Sequence, residues 1–366
     1  MELTVTQENL AKALTAVSRV ASTKTQLPIL NNILLRTDGT RLLVAATNLE
    51  IASTHYVGAK VISHGSITIP ARLVSEFVTS LPKDTVELKV KGDQLTLTSG
   101  KYTSVINGVI ADEFPELPTI DESSSIQYSI TADDFKQAVN QTIITTSSDS
   151  SRPILTGVYW HSHEGHLYLV ATDGYRLSER RLVETTSEVA AIIPTQTLQE
   201  VLRTLTDTVD EVEVLFDETQ VRFRLNEAEI VSRLIDGNFP NYRNLIPSES
   251  STTGVIKKED FVRIAKIAGL FARQSGGGIT LSLDSEKGSF SIHSIASELG
   301  ENTSEAEAEV DESGIITLNS RYLIDALSVI DGDTVELSFN GKLSASLLRA
   351  KNDDPNYLHI IMPLKS

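Results

Sequence analysis

At 366 residues, 40% of them hydrophobic and 22% charged, the chain exceeds a single usual core and holds enough apolar surface to fill two or three. No apolar run nears the roughly 20 residues that span a bilayer, no basic region followed by an apolar stretch opens MELTVTQENL, and zero cysteines exclude disulfides and thiolate metal sites, so a cytoplasmic protein without an export signal is expected. A formal net charge of -17 argues against a protein that coats DNA through Lys and Arg, and any DNA role then needs a strongly uneven charge distribution.

In chain order, a short strand leads into a helix with Leu10, Leu14 and Val17 on one face. A hairpin turning at Asp38-Gly39 follows, then a second helix through Val74, Phe77, Val78 and Leu81. The same grammar restarts where Thr131 and Asp134 stand at capping-box spacing before Phe135, Val139 and Thr142. Its hairpin turns at Glu164-Gly165, its second helix runs through Leu198, Val201, Leu202 and Leu205, and alternating strands occupy Val212 to Leu225. A third round opens with Phe261, Ile264, Ala268 and Phe271 and carries its second helix at Tyr322, Leu323, Ala326 and Leu327. Between those helices Glu305, Glu307 and Glu309 alternate with Ala306, Ala308 and Val310, a strand with one face lined by carboxylates that repels DNA and discourages edge pairing.

The rounds are copies of one unit. Leu27-Pro28-Ile29-Leu30 recurs as Arg152-Pro153-Ile154-Leu155, Val44 to Asn48 as Leu169 to Asp173, and Phe114-Pro115 as Phe239-Pro240, at one offset of roughly 125 residues. Asp84 to Leu88 returns as Asp333 to Leu337, and Ile69-Pro70 and Ile193-Pro194 correspond to Thr317-Leu318. The expected fold is therefore α+β, three repeated domains of two helices backed by antiparallel sheet, bounded at 1–120, 127–248 and 253–366.

A modest basic bias collects on or beside the helices. Lys12 and Arg19 lie on the first, Arg263, Lys266 and Arg273 on the third-copy helix, where Phe261 to Ser275 holds no acid, and Lys24, Arg72, Lys136, Arg152 and Arg203 occupy equivalent places. Enzyme signals are weak. His161, His163 and His166 have a metal-like spacing but fall on a hairpin expected to be an exposed turn, Gly276-Gly277-Gly278 lacks the lysine of a phosphate loop and reads as a flexible connection, and Asp353-Asp354 has no partner base. No catalytic residue, metal or cofactor is expected.

The strings LPILNNILL, VATDGYRL, IDGNFPNYRNLIP and IIMPLKS, in that order over essentially the whole chain, resemble the bacterial DNA sliding clamp family, the beta subunit of the replicative polymerase. The resemblance implies half of a six-domain ring, closed as a head-to-tail homodimer around duplex DNA, with helices lining the hole and no sequence-specific contacts. It also implies a groove that takes short linear motifs from the polymerase, the clamp loader and repair proteins. By motif match that groove falls on Leu155, Thr172, Gly174, Tyr175, Arg176 and Leu177, on Pro240, Asn244 and Leu245, and on Ile360, Met362, Pro363 and Leu364. Asn244 stands where some relatives carry Arg, and the chain ends in Lys365-Ser366 in place of an apolar residue. The implied dimer seam falls on Ile106, near Ser104, facing Leu270 and Phe271. The alternative is a three-domain peptide-binding scaffold of the same fold that never encircles DNA, with a histidine metal hydrolase more distant.

Overall fold

The computed structural model of the chain describes residues 1–21, 27–123, 125–273, 276–296, 300–352 and 356–364. The first repeat contains β1 (Glu2–Thr6), α1 (Gln7–Ser18), β2 (Asn32–Asp38), β3 (Arg41–Thr47), β4 (Ile51–Gly58), β5 (Lys60–Ser63), β6 (Ser66–Pro70), α2 (Ala71–Ser80), β7 (Thr85–Lys91), β8 (Gln94–Ser99) and β9 (Tyr102–Asn107). The second contains β10 (Ile126–Thr131), α3 (Ala132–Ile143), β11 (Gly157–His163), β12 (His166–Thr172), β13 (Arg176–Glu184), β14 (Ala190–Pro194), α4 (Thr195–Thr204), β15 (Glu211–Phe216), β16 (Gln220–Leu225) and β17 (Ala228–Arg233). The third contains β18 (Thr252–Lys257), α5 (Lys258–Ala272), β19 (Gly278–Asp284), β20 (Ser289–Ala296), β21 (Gly300–Val310), β22 (Gly314–Asn319), α6 (Ser320–Val329), β23 (Thr334–Phe339), β24 (Ser346–Ala350) and β25 (Tyr357–Ile361).

The apolar stripes read from the sequence point inward. Leu10, Leu14 and Val17 of α1, Phe135, Val139 and Thr142 of α3, and Phe261, Ile264 and Ala268 of α5 are all buried. Phe271 is only half-buried, because the α5 stripe turns one residue further, to the buried Ala272. In the third repeat the inward faces of α5 and α6 close on β19, β20, β22 and β23 around Phe261, Phe290 and Phe339. Burial of such aromatic side chains dominates a core of this kind.

Contacts divide the chain into two compact units, Met1–Asp133 with Gln196–Leu234, and Asp134–Thr195 with Ile235–Ser366. Packing units and sequence repeats do not coincide, because the strands of the middle repeat continue two different sheets. In the first unit an eight-stranded sheet runs β10-β15-β16-β17-β4-β3-β2-β6, beside a five-stranded sheet β5-β1-β7-β8-β9. In the second a twelve-stranded sheet runs β14-β11-β12-β13-β25-β24-β23-β18-β21-β20-β19-β22. One rule governs both junctions: the last strand of a repeat adds antiparallel to the fourth strand of the repeat before it, β17 to β4 with Val231 opposite Ala52, and β25 to β13 with Ile360 opposite Leu177.

Two expectations shift by a residue. Asp38 pairs with Arg41, so the first hairpin turns at Gly39-Thr40, with Gly39 at φ +57 supplying the left-handed residue. The counterpart of Ile69-Pro70 is Leu318-Asn319, since Asn319 directly precedes α6 and its side chain accepts the amides of Arg321 and Tyr322. The Glu164-Gly165 turn stands as expected, both residues at positive φ between paired His163 and His166. The carboxylates of Glu305, Glu307 and Glu309 share the exposed face of β21. Gly276 and Gly277, at positive φ, make the turn into β19.

Candidate functional site

The turn between β12 and β13 is built by its own polar side chains. Thr172 Oγ1 donates to the Arg176 carbonyl at 2.7 Å and accepts from the Gly174 amide at 3.1 Å. Asp173 Oδ1 accepts the amides of Tyr175 and Arg176 at 2.9 and 3.0 Å, and Gly174 takes φ +94. The first repeat forms the same turn from Thr47 and Asn48, with Leu49 forced to φ +76 at the glycine position. The turn leaves Tyr175 62% exposed and fixes Arg176, whose guanidinium bonds Asp173 at 3.0 Å and Asp325 at 2.7 Å and lies 4.4 Å over the Tyr322 ring.

Beside this turn the pairing of β13 with β25 brings Leu177 against Ile360, and both join an apolar cluster with Val170, Tyr242 and Leu347. Past β25, the Met362 amide donates to the Tyr175 carbonyl at 2.8 Å. Leu245, on the short turn Arg243–Leu245, is 49% exposed and Met362 is 37% exposed, so apolar surface faces solvent near a buried apolar floor. Asn244 and Pro240 are exposed and Pro363 half-buried. Leu155 is buried in the 3-10 turn that follows Arg152, whose guanidinium approaches Gly174. The Leu364 amide donates to the Thr317 carbonyl at 2.9 Å and its side chain lies beside Gly278. Lys365-Ser366 lies outside the described residues.

The histidine motif is corrected. His161 is not on an exposed turn, because it is the third strand residue before Glu164 and its pleat face is covered by Tyr242. Its Nε2 lies 2.8 Å from the Tyr242 hydroxyl and its ring stacks on Tyr159 and Tyr168. Burial pushes its pKa down to about 4, with Arg243 and His163 adding to the effect and a backbone bond at Ser162 opposing it. Among the described residues no cluster of three His, Asp or Glu side chains forms a metal site. Asp353-Asp354 lies outside those residues.

The basic residues divide into two classes. Arg19 chelates the buried carboxylate of Glu200 at 2.6 and 3.0 Å, with Arg203 3.7 Å from the same group. Arg72 pairs with Glu76, Arg152 with Asp149, and Arg263 with Glu259 and Asp260 from the turn before Phe261, so the acid-free stretch does not leave Arg263 unneutralised. Lys12, Lys136, Lys266 and Arg273 are exposed and make no ion pair among the described residues, and Lys24 lies outside them. Lys12 lines a hollow of about 390 Å³ with Asn9, Arg41, His55 and Asn226.

The expected seam residue Ile106 lies on β9 with its side chain turned inward. It is 3% exposed, because the pleat of β9 turns it into its own sheet, while Tyr102 and Val105 of the same strand are each 56% exposed. Leu270 of α5 is 58% exposed. No helix among the described residues is long and apolar enough to cross a membrane.

Comparison with known proteins follows the repeats. Residues 1–118, 129–241 and 243–365 match, in order, the N-terminal, central and C-terminal domains of the DNA polymerase III beta subunit family. The chain is 31% identical over 380 residues to the beta sliding clamp of Bacillus subtilis, covering all of both. A crystal structure of the Bacillus subtilis DNA polymerase sliding clamp superposes with a TM-score of 0.95 at 30% identity, covering 100% of this chain and 99% of that one. A sliding clamp of Pseudomonas aeruginosa bound to griselimycin superposes with a TM-score of 0.92 at 26% identity over the whole of both chains.

Proposed function

The chain belongs to the DNA polymerase III beta subunit family, and on that premise we propose that it is a processivity factor that encircles duplex DNA as a head-to-tail dimer. It acts in the cytoplasm, without catalytic chemistry of its own. The domains are bounded at 1–120, 127–248 and 253–366.

The observation that carries ring closure is the junction rule of the sheets. β17 adds to β4 and β25 adds to β13, so β9 and the Gly300–Glu307 stretch of β21 are the last strand and fourth strand left without that pairing among the described residues. Joining β9 of one copy to β21 of another applies the rule a third time, and twice over it closes a dimer. Transferring the register of the two internal junctions sets Val105 opposite Glu301 of the second copy. Leu270 and Phe271 of α5 supply apolar surface to the same seam.

A protein threaded on DNA is retained by topology, so its inner face needs only weak attraction to phosphates. The pairing of Arg19, Arg72, Arg152, Arg203 and Arg263 with carboxylates supports such a weak grip, with Lys12, Lys136, Lys266 and Arg273 as its least neutralised cations. Polymerase, clamp loader and repair proteins are tethered by short motifs seated on the apolar floor of Leu177 and Ile360, between Leu155, the turn Thr172 to Arg176, Pro240 to Leu245 and Met362 to Leu364. Griselimycin, bound by the Pseudomonas aeruginosa relative, is expected to bind this chain as well.

Light scattering tests closure: a solution mass of twice the 39.9 kDa chain is expected. A monomer would favour the peptide-binding scaffold that never encircles DNA.

A further inference from the structure

One wall of the groove is a single 3-10 turn, Arg243–Leu245, which is too short to hold its own shape. It is held by the residues around it. Tyr242 is 4% exposed: its ring packs in the cluster that contains Leu177 and Ile360, and its hydroxyl donates to Glu179. His161 Nε2 lies 2.8 Å from the phenol oxygen, and with the phenol proton committed to the carboxylate the matching tautomer is the one that carries its proton on Nε2 and donates it. The Arg243 guanidinium lies 4.9 Å over the Tyr168 ring and 3.4 Å from Glu179. Phe239 stacks on Tyr159, whose other stacking partner is His161, with ring centroids 4.8 Å apart in both pairs.

Glu179 stands two residues beyond Leu177 on β13, hence on the same face of the strand. Floor and anchor therefore share one strand, and any slip of the tyrosine moves the wall relative to the floor. We propose that Glu179, His161 and Tyr242 are positioning residues of the peptide groove, holding the Arg243–Leu245 turn where Asn244 and Leu245 complete the trough beside Leu177 and Ile360. The inference rests on the groove reading given above. The arrangement satisfies each buried group only together: without the tyrosine hydroxyl, Glu179 loses a donor and His161 its acceptor, at a site where an unpaired polar group is costly. Burial keeps His161 neutral down to about 4, so this donor pattern persists at neutral pH.

The test uses the full chain with griselimycin as probe, measured by surface plasmon resonance, together with hydrogen exchange of the free protein. Tyr242→Phe keeps the ring in the cluster and removes the hydroxyl. The expected result is a Kd raised about tenfold, the equivalent of one charge-assisted hydrogen bond. Amide exchange should accelerate at Leu245 and Ile246, whose amides bond the carbonyls of Tyr242 and Arg243. Glu179→Gln, which retains an acceptor for the tyrosine but loses the charge facing Arg243, should raise Kd less than Tyr242→Phe does. If wild-type chain binds and Tyr242→Phe binds within twofold of it, or if its melting temperature falls while exchange at Leu245 and Ile246 is unchanged, the proposal is overturned. If the wild-type chain does not bind griselimycin, the groove reading fails, and the exchange measurement still decides whether the network holds the turn.

Discussion

Replacing Glu200 with Gln tests whether the helix-borne arginines are held by their acids or free to meet phosphates. The Glu200 carboxylate is 5% exposed and takes three bonds from Arg19, at 2.6, 3.0 and 3.1 Å, with Arg203 3.7 Å away. Breaking a fully buried pair costs about 3–5 kcal/mol, but the Arg19 side chain is 31% exposed, so water takes over part of its solvation. Gln also keeps one acceptor, which brings the expected cost to about 2 kcal/mol. For a unit of this size that lowers the melting temperature by roughly 4–8 °C, read by calorimetry. The same change releases two guanidinium groups, so the slope of log K against log salt for short duplex DNA steepens by about 1 to 2. An unchanged melting temperature and salt slope would refute the idea that Glu200 neutralises both arginines.

Under the proposed register, Val105→Asp places like charges across the seam and lowers the solution mass to that of one chain, whereas Val105→Lys faces Glu301 and preserves the dimer; equal behaviour of the two would reject the register. Leu49→Gly relieves a left-handed leucine and should stabilise by about 0.5–1 kcal/mol in urea unfolding, and a loss would mean that the Leu49 side chain contributes more than its backbone costs. Burial, reinforced by the charge of Arg176, pushes the His359 pKa down to about 3, so the folded state stays neutral where the unfolded chain, near 6.5, takes up a proton. Its stabilising contribution is whole above pH 6.5 and declines as pH falls toward 3, by about 1.4 kcal/mol per unit. His359→Gln should therefore show a shallower loss of stability than wild type between pH 6.5 and 5, and identical slopes would contradict this.

The helices and hairpins were legible in the sequence because their signals are local. Leu10, Leu14 and Val17 mark a face by their spacing alone, and Glu164-Gly165 marks a turn by backbone preference. What escaped depends on partners remote in sequence. His161 looks like a turn residue until Tyr242, supplied by a distant loop, covers it, and Arg19 looks free until Glu200 reaches it from another repeat. Position in β9 does not by itself tell the inward Ile106 from the outward Val105, since one residue of offset on the pleat separates the two faces. The partners of Arg263 were within reach of a sequence reading, since Glu259 and Asp260 precede it at helical spacing. The groove was legible only as strings in family order; the mutual support of Thr172, Asp173 and Arg176 explains why those residue types occur there.

Ring topology is tested most directly by loading the protein onto nicked circular DNA and cutting the circle. Encirclement predicts retention on the closed circle at salt concentrations that abolish ordinary phosphate contacts, and rapid loss from the free ends after linearisation. Equal dwell times on circular and linear DNA would contradict it.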